Sequence, residues 1–256
     1  MSSIEEYDVA LSSTPGTLSI GMVLFPNLTQ LDLTGPYEVF ARLPETKVYL
    51  VAATLAPVRS ERGLTIFPDA TFESVPALDI VCVPGGLGVN AMMEDEALLR
   101  FLQVQARSAR YMTSVCTGAL LLGAAGLLHG YRATTHWLSQ DLLALFGAQA
   151  VDERVAVDRN RITGGGVTAG IDFGLTVAAE VFGPAVAQEI QLVLEYSPAP
   201  PFRGGSPKTA LASLVQKVVD ERAQAQTGRR TIAERAAGRL ASLCIPVLTG
   251  SQGWLY

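Results

Sequence analysis

The sequence predicts an α/β fold in which a mostly parallel sheet is covered by helices on both faces. Short apolar runs bounded by Gly, Pro or charged residues predict buried strands over 18–25, 47–54, 79–83 and 111–115. Segments with helical spacing of apolar residues follow them, over 33–43, 88–110 and 119–128. Strands that alternate with helices are typical of parallel sheets, because each helix carries the chain back across the sheet.

The remaining segments extend this pattern. Residues 56–72 contain Gly, Pro and a short alternation of apolar and polar residues, which predicts a hairpin or excursion. Apolar and polar residues also alternate over 151–163 around a turn at 158–160, which predicts an antiparallel pair of strands. A strand over 132–135 and helices over 136–146, 171–182, 185–196 and 208–243 complete the prediction. We therefore expect a flexible leader over 1–16, a single α/β domain over 17–243 and an irregular C-terminal tail over 244–256.

Composition and charge exclude several classes of protein. The 256 residues are 49% hydrophobic and 17% charged, which is globular rather than disordered. The formal net charge is −5, so a nucleic-acid partner is not expected. The N-terminus lacks a secretion signal, and no apolar stretch is long enough to span a membrane. Three cysteines are too few and odd in number for a disulfide framework, which favours a cytoplasmic protein.

Cys116 is the strongest candidate for a catalytic residue. The strand over 111–115 runs directly into Cys-Thr-Gly and a helix of small residues, so the cysteine is expected on a sharp, strained turn at the carboxyl edge of the sheet. Backbone N–H groups of the new helix are expected to lower its pKa and make it a nucleophile. Cys82 and Cys244 lack this setting and are predicted to be structural.

Other candidates are ambiguous from the residues alone. Asp32, between leucines, is either a helix N-cap or a proton carrier with a raised pKa. Gly85 and Gly86 follow a strand, where they form either an ordinary turn or a loop whose backbone comes close to a ligand. His136 ends another strand and is either structural or in the pocket, and two histidines with one cysteine provide no metal site. Gly164–Gly166 form either a loop that approaches a ligand or a site of close packing, and we favour close packing.

Together these segments resemble the ThiJ/PfpI superfamily, and within it the isocyanide hydratases. The resemblance covers about 18–240 and is carried by Gln30–Pro36, Val83–Gly86, Thr113–Gly118, Arg132–Trp137, Thr163–Asp172 and Leu194–Phe202. Thr117 follows the cysteine where peptidase-like members have a histidine, which argues against peptidase chemistry. Val167 stands where the hydratases are expected to have isoleucine, on the wall of the pocket.

The resemblance implies a flavodoxin-like three-layer sandwich of the class I glutamine-amidotransferase type, a homodimer and no cofactor. It implies a hydro-lyase that converts a small apolar isocyanide and water into an N-substituted formamide through a thioimidate. Cys116 would be the nucleophile and Asp32 the proton carrier. The backbone N–H groups of Gly86 and Thr117 would stabilise developing negative charge.

Two other functions remain open. Similar domains serve as sensing modules fused to helix-turn-helix regulators, although the roughly 50 residues after the Pro/Gly loop are few for such a module. The arginines of the last helical region, Arg222, Arg229, Arg230, Arg235 and Arg239, are interpreted as a solvated face. The second possibility is a thiol-based glyoxalase, deglycase or oxidation-sensing stress protein, since an accessible low-pKa cysteine also oxidises readily.

Overall fold

A seven-stranded, mostly parallel sheet forms the centre of residues 17–243, the part of the chain that the computed structural model describes. The strands are β1 (Leu18–Val23), β2 (Thr46–Ala52), β3 (Val58–Arg59), β4 (Thr65–Ile66), β5 (Ala70–Thr71), β6 (Ile80–Val83), β7 (Tyr111–Val115), β8 (Arg132–Ala133), β9 (Gln149–Ala150), β10 (Val155–Asp158) and β11 (Arg161–Gly164). The helices are α1 (Gln30–Phe40), α2 (Val89–Met92), α3 (Glu96–Gln105), α4 (Gly118–Ala124), a 3₁₀ helix (Trp137–Phe146), α5 (Ala169–Phe182), α6 (Pro184–Val193) and α7 (Ala212–Leu243).

The strand order of the large sheet is β10-β11-β7-β6-β1-β2-β5. The five parallel strands β2, β1, β6, β7 and β11 thus lie in the 2-1-3-4-5 order of the flavodoxin-like fold. Only β10 runs antiparallel, paired with β11. Helices pack around the sheet and make a three-layer sandwich, which confirms the predicted fold class.

The interior is built from strands that are buried along their whole length. All four residues of β6 and of β11 are buried, as expected for strands covered on both faces. On one side α1 packs against α5, where the rings of Phe40 and Phe173 meet edge to face at 6.1 Å. α3 and the 3₁₀ helix pack against α4, which contacts β6 and β7. None of the helices within residues 17–243 is both long and apolar enough to cross a membrane.

Two segments differ from their predictions in local detail, and the hairpin or excursion predicted over 56–72 is present. The helix expected over 88–110 is divided into α2 and α3, because the Asp95 side chain accepts a hydrogen bond from the Leu98 N–H at 2.8 Å and starts a new helix. The segment 136–146 is a 3₁₀ helix, and 56–72 contributes both the β3–β4 hairpin and the sheet strand β5. The expectations for 1–16, 244–256 and Cys244 lie outside the described residues.

The topology brings three connections to one edge of the sheet. β1 lies between β2 and β6, so the strand order reverses at β1 and a crevice opens beyond the carboxyl ends of β1 and β6. β7 follows directly beside β6. The chain after β1 leads to α1, and the chains after β6 and β7 lead to Gly85 and Cys116. The predicted site residues therefore meet at this crevice.

Candidate active site

Cys116 forms the turn between β7 and α4. Its φ is +55°, in the left-handed region that a residue with a side chain rarely adopts. The turn is held from both sides, because the Cys116 N–H donates to the Gly164 carbonyl at 3.0 Å and its carbonyl accepts from the Thr135 hydroxyl at 2.7 Å. The sharp, strained turn is thus present as predicted. Such strain at a reactive side chain is typical of functional sites.

Asp32 lies in the first turn of α1 and is fully buried. Its Oδ2 accepts a hydrogen bond from the Gly85 N–H at 2.9 Å, so the carboxyl group ties α1 to the loop after β6. Its Oδ1 is buried and has no partner among residues 17–243. The N-cap position of α1 belongs to Thr29, which rules out the N-cap interpretation of Asp32.

Burial raises the pKa of Asp32 from 3.8 to about 7. The Gly85 N–H and the adjacent Cys116 thiol oppose this rise, because both stabilise the carboxylate, while the negative charge of Glu61 adds a small increase. A carboxyl group with a pKa near neutrality can both give and take a proton under physiological conditions. This arrangement supports the role of proton carrier rather than a structural one.

The pKa of the Cys116 thiol departs from the prediction. Burial and the neighbouring Asp32 carboxylate raise its pKa well above 9.0, whereas the Thr117 N–H and Arg229 lower it. The expected lowering by the helix N-terminus is present but smaller than the cost of burying a second negative charge. The thiol and the carboxyl group are therefore coupled, because ionisation of one disfavours ionisation of the other.

The two glycines after β6 have different roles. A side chain at Gly85 would come within 2.5 Å of the Thr117 nitrogen and 2.8 Å of Asp32 Oδ2, so only glycine permits this close packing. Gly85 is buried beneath the pair and does not line the cavity. Gly86 has φ +133°, and its N–H donates to the Thr117 hydroxyl at 3.0 Å. The Gly86 N–H is consequently not free to face developing charge, contrary to the prediction.

Cys116 opens into a cavity of about 310 Å³. Thr117, His136 and Val167 lie on its wall. Further apolar area comes from Leu87, Trp137, Leu138 and Val218, and polar groups come from Thr29, Glu61, Arg62, Arg222, Gln226 and Arg229. The cavity thus joins one buried reactive pair to a largely apolar wall, as suits a small organic substrate.

His136 is a neutral wall residue. Its Nδ1 accepts a hydrogen bond from the Leu138 N–H at 3.3 Å and so caps the 3₁₀ helix. Its ring stacks on Trp137 with the centroids 6.0 Å apart. Burial lowers its pKa, and the charges of Arg229 and Arg222 lower it further. His136 therefore has both of the roles considered from the sequence, because the same ring caps a helix and lines the cavity.

Glu61 and Arg229 are among the cavity residues that were not identified from the sequence. Glu61 lies on the excursion after β2, where it accepts hydrogen bonds from the Thr29 hydroxyl at 2.9 Å and the Leu87 N–H at 3.2 Å. Arg229 was assigned to a solvated face, but it is buried against the cavity. The helical spacing of Val218, Arg222 and Arg229 marks one face of α7, although nothing local tells what that face covers.

Cys82 is structural, as predicted. It lies within β6 and is fully buried, which raises its pKa to about 12. A thiol in such a position is neither accessible nor ionised at neutral pH. Of the two cysteines within residues 17–243, only Cys116 reaches the cavity.

Comparison with known proteins agrees with this geometry. The sequence model of the DJ-1/PfpI family matches residues 18–180, which include Asp32, Cys116 and Val167. The chain belongs to the DJ-1/PfpI family. A crystal structure of a ThiJ/PfpI family protein from Pseudomonas syringae superposes with a TM-score of 0.83 at 45% identity, over 85% of this chain and 91% of the other. The predicted family is thereby confirmed.

Within the DJ-1/PfpI family the chain has relatives of different kinds. It is 56% identical over 223 residues to the isonitrile hydratase of Pseudomonas putida, covering 87% of this chain and 98% of the relative. It is 34% identical over 188 residues to the HTH-type transcriptional regulator GbdR of Pseudomonas aeruginosa, covering 70% of this chain but only 50% of the regulator. The match to the hydratase is thus both closer and more complete.

Proposed function

We propose that the protein hydrates isocyanides to N-substituted formamides, with Cys116 as nucleophile and Asp32 as proton carrier. The observation that carries the proposal is a thiol on a strained turn beside a buried carboxyl group with a pKa of about 7, at the floor of a largely apolar cavity. The 56% identity to an isonitrile hydratase over nearly its whole length supports the same reaction.

The first half of the reaction forms a covalent intermediate. The Cys116 sulfur attacks the terminal carbon of R–N≡C, and the proton held by Asp32 passes to that carbon. The product is a thioimidate, R–N=CH–S–Cys116, and Asp32 becomes a carboxylate. The carboxylate is anchored by the Gly85 N–H at 2.9 Å, which fixes it beside Cys116.

The second half consumes water. The Asp32 carboxylate takes a proton from water while the hydroxyl adds to the thioimidate carbon, and the nitrogen then takes this proton. Loss of the hydroxyl proton to Asp32 and cleavage of the C–S bond release R–NH–CHO and the thiolate. One proton of the water ends on nitrogen, and the catalytic pair returns to its starting state. Among the predicted donors, the Thr117 N–H beside the sulfur is the one available to stabilise developing charge.

The reaction is tested by incubating the protein with cyclohexyl isocyanide and quantifying N-cyclohexylformamide by gas chromatography with mass detection. Cys116→Ala should form no product, and Asp32→Asn should be slower by at least ~10²-fold. Cys82→Ala removes a thiol that lies outside the cavity and should retain turnover. Formamide production by Cys116→Ala would refute the mechanism, and methylglyoxal loss that depends on Cys116, without isocyanide loss, would indicate a glyoxalase.

We also propose that the protein is a homodimer. Leu192 and Val193 at the end of α6 are 81% and 67% exposed, and Phe202 on the following loop is 82% exposed. Large apolar side chains with this exposure are typical of an interface between copies. Light scattering should give twice the chain mass of 27.1 kDa, and Leu192→Asp should shift the mass toward the monomer. A wild-type mass of one chain at micromolar concentrations would contradict the dimer.

A further inference from the structure

Arg229 is a buried positive charge without a carboxylate partner in the described part of the chain. It lies in α7 and is only 7% exposed. Its Nε donates to Asn90 Oδ1 at 2.8 Å, one Nη to the Ser139 hydroxyl at 3.1 Å and the other to the Gly86 carbonyl at 3.4 Å. All three acceptors are neutral. A buried charge is normally paired with an opposite one, whereas Arg229 forms no ion pair with any residue of 17–243.

The neighbouring arginines of α7 behave differently. Arg230 pairs with Asp141, and Arg235 pairs with Glu94 at 2.8 Å, both at the surface. Surface pairs of this kind contribute little to stability. Arg229 alone among these three is fixed in a buried position and directed at the loop beside the elbow.

The titratable groups around Arg229 differ as sources of negative charge for the guanidinium. The titratable groups that face it are Cys116, Glu61 and His136, with Arg62 and Arg222 on the cavity wall and Asp32 reached through Cys116. Glu61 is a negative group that also acts on Arg229, but its two carboxylate oxygens accept from the Thr29 hydroxyl and the Leu87 N–H and form no ion pair with the guanidinium; His136 is neutral. Cys116 acts on the guanidinium more strongly than Glu61 does, and its sulfur lines the same cavity.

We propose that Arg229 is a positioning residue whose fixed charge stabilises the Cys116 thiolate when the thiol proton has moved to Asp32. The proton leaves Sγ and binds the Asp32 carboxylate, so the pair keeps one negative charge while that charge moves from the carboxylate to the sulfur. Arg229 and Cys116 both line the cavity whereas Asp32 does not, so the positive charge acts more on the sulfur than on the carboxyl group and favours the nucleophilic form. The proposal shares Cys116 with the proposed function but requires no particular substrate.

Alkylation of Cys116 tests this without isocyanide turnover. The rate of carbamidomethylation by iodoacetamide is measured from pH 5 to 10, with Cys116 followed by peptide mass spectrometry. In Arg229→Gln the apparent pKa should rise by about 1–2 units, the range of effect of a close opposite charge. The rate at pH 7 should then fall by ~10- to 100-fold. Iodoacetate carries a negative charge, so its alkylation rate should fall more than that of iodoacetamide when the positive charge of Arg229 is removed.

Two further variants separate charge from packing. Arg229→Lys keeps the positive charge and should restore the apparent pKa to within ~0.5 unit of wild type. Arg230→Gln removes an adjacent arginine that lies outside the cavity and should leave the pH profile unchanged. An unchanged profile in Arg229→Gln, or a lysine variant that behaves like the glutamine variant, would overturn the proposal.

Ser139→Ala provides a test that retains the arginine. It removes one of the three acceptors, so the guanidinium is less well fixed and the apparent pKa should rise, by less than in Arg229→Gln. No rise in a folded Ser139→Ala protein, as judged by its circular dichroism, would count against a positioning role. If wild-type protein shows the predicted alkylation pattern but does not hydrate isocyanides, the proposed function fails while the role of Arg229 stands.

Discussion

Replacing Asp32 by Asn should stabilise the protein at neutral and alkaline pH while impairing catalysis. The asparagine oxygen can still accept the Gly85 N–H, and the amide removes the buried charge. The pKa of Asp32 rises from 3.8 to about 7 on folding, a shift of about 3 units. At ~1.4 kcal/mol per unit, ionisation of this carboxyl group destabilises the folded state by about 4 kcal/mol.

The pH dependence has a definite sign. Between the unfolded and the folded pKa, the folded protein binds a proton that the unfolded chain has lost, so stability falls as pH rises through this range. Wild type and Asp32→Asn should be equally stable near pH 3.5, and the variant should become more stable from about pH 4 to 7. Above pH 7 the difference should level off at about 4 kcal/mol.

Urea unfolding followed by circular dichroism at several pH values measures this difference. Asp152→Asn removes an exposed carboxylate that pairs with Lys208, and it should change stability by less than ~1 kcal/mol. Parallel stability curves for wild type and Asp32→Asn between pH 4 and 8 would refute the raised pKa. The role of Asp32 as a proton carrier at neutral pH would then lose its physical basis.

Three further outcomes follow from the geometry of the elbow. Gly85→Ala should reduce turnover by at least ~10²-fold, because its methyl group would displace Asp32 and Thr117, whereas Gly205→Ala, with open space around it, should have wild-type turnover. Native protein treated with a thiol reagent at pH 8 should be labelled at Cys116 and not at Cys82, as peptide mapping can verify. Cys116→Gly should be more stable than Cys116→Ala by ~1 kcal/mol in urea unfolding, since glycine relieves the positive φ; the reverse order would exclude strain at the turn.

Much of the fold was predictable because its signals are local. The strand predicted over 111–115 is β7 residue for residue, and the antiparallel pair around 158–160 is β10 and β11. Both segments are short, strongly patterned and bounded by turns. The elbow at Cys116 was predictable for the same reason, since a strand that meets a helix without an intervening loop can only turn sharply.

The electrostatics of the site could not be predicted in this way. The pKa of Cys116 depends on burial and on Asp32, which is 84 residues away in the sequence and comes close only through the order of β1, β6 and β7. Arg229 was misassigned because its local sequence is that of a charged surface helix. Which side of α7 faces the cavity is decided by tertiary packing against the 3₁₀ helix and α4.

The reacting pair and the cover above it come from separate stretches of chain. Asp32 and Cys116 lie within 18–180, the part shared across the family, whereas Val218, Arg222 and Arg229 belong to α7 beyond it. Substitutions at Val218 or Arg222 can therefore change the wall of the cavity without altering Asp32 or Cys116, provided that Arg229 is kept. Replacing the cavity-facing residues of α7 would be a rational way to alter which molecules enter the cavity.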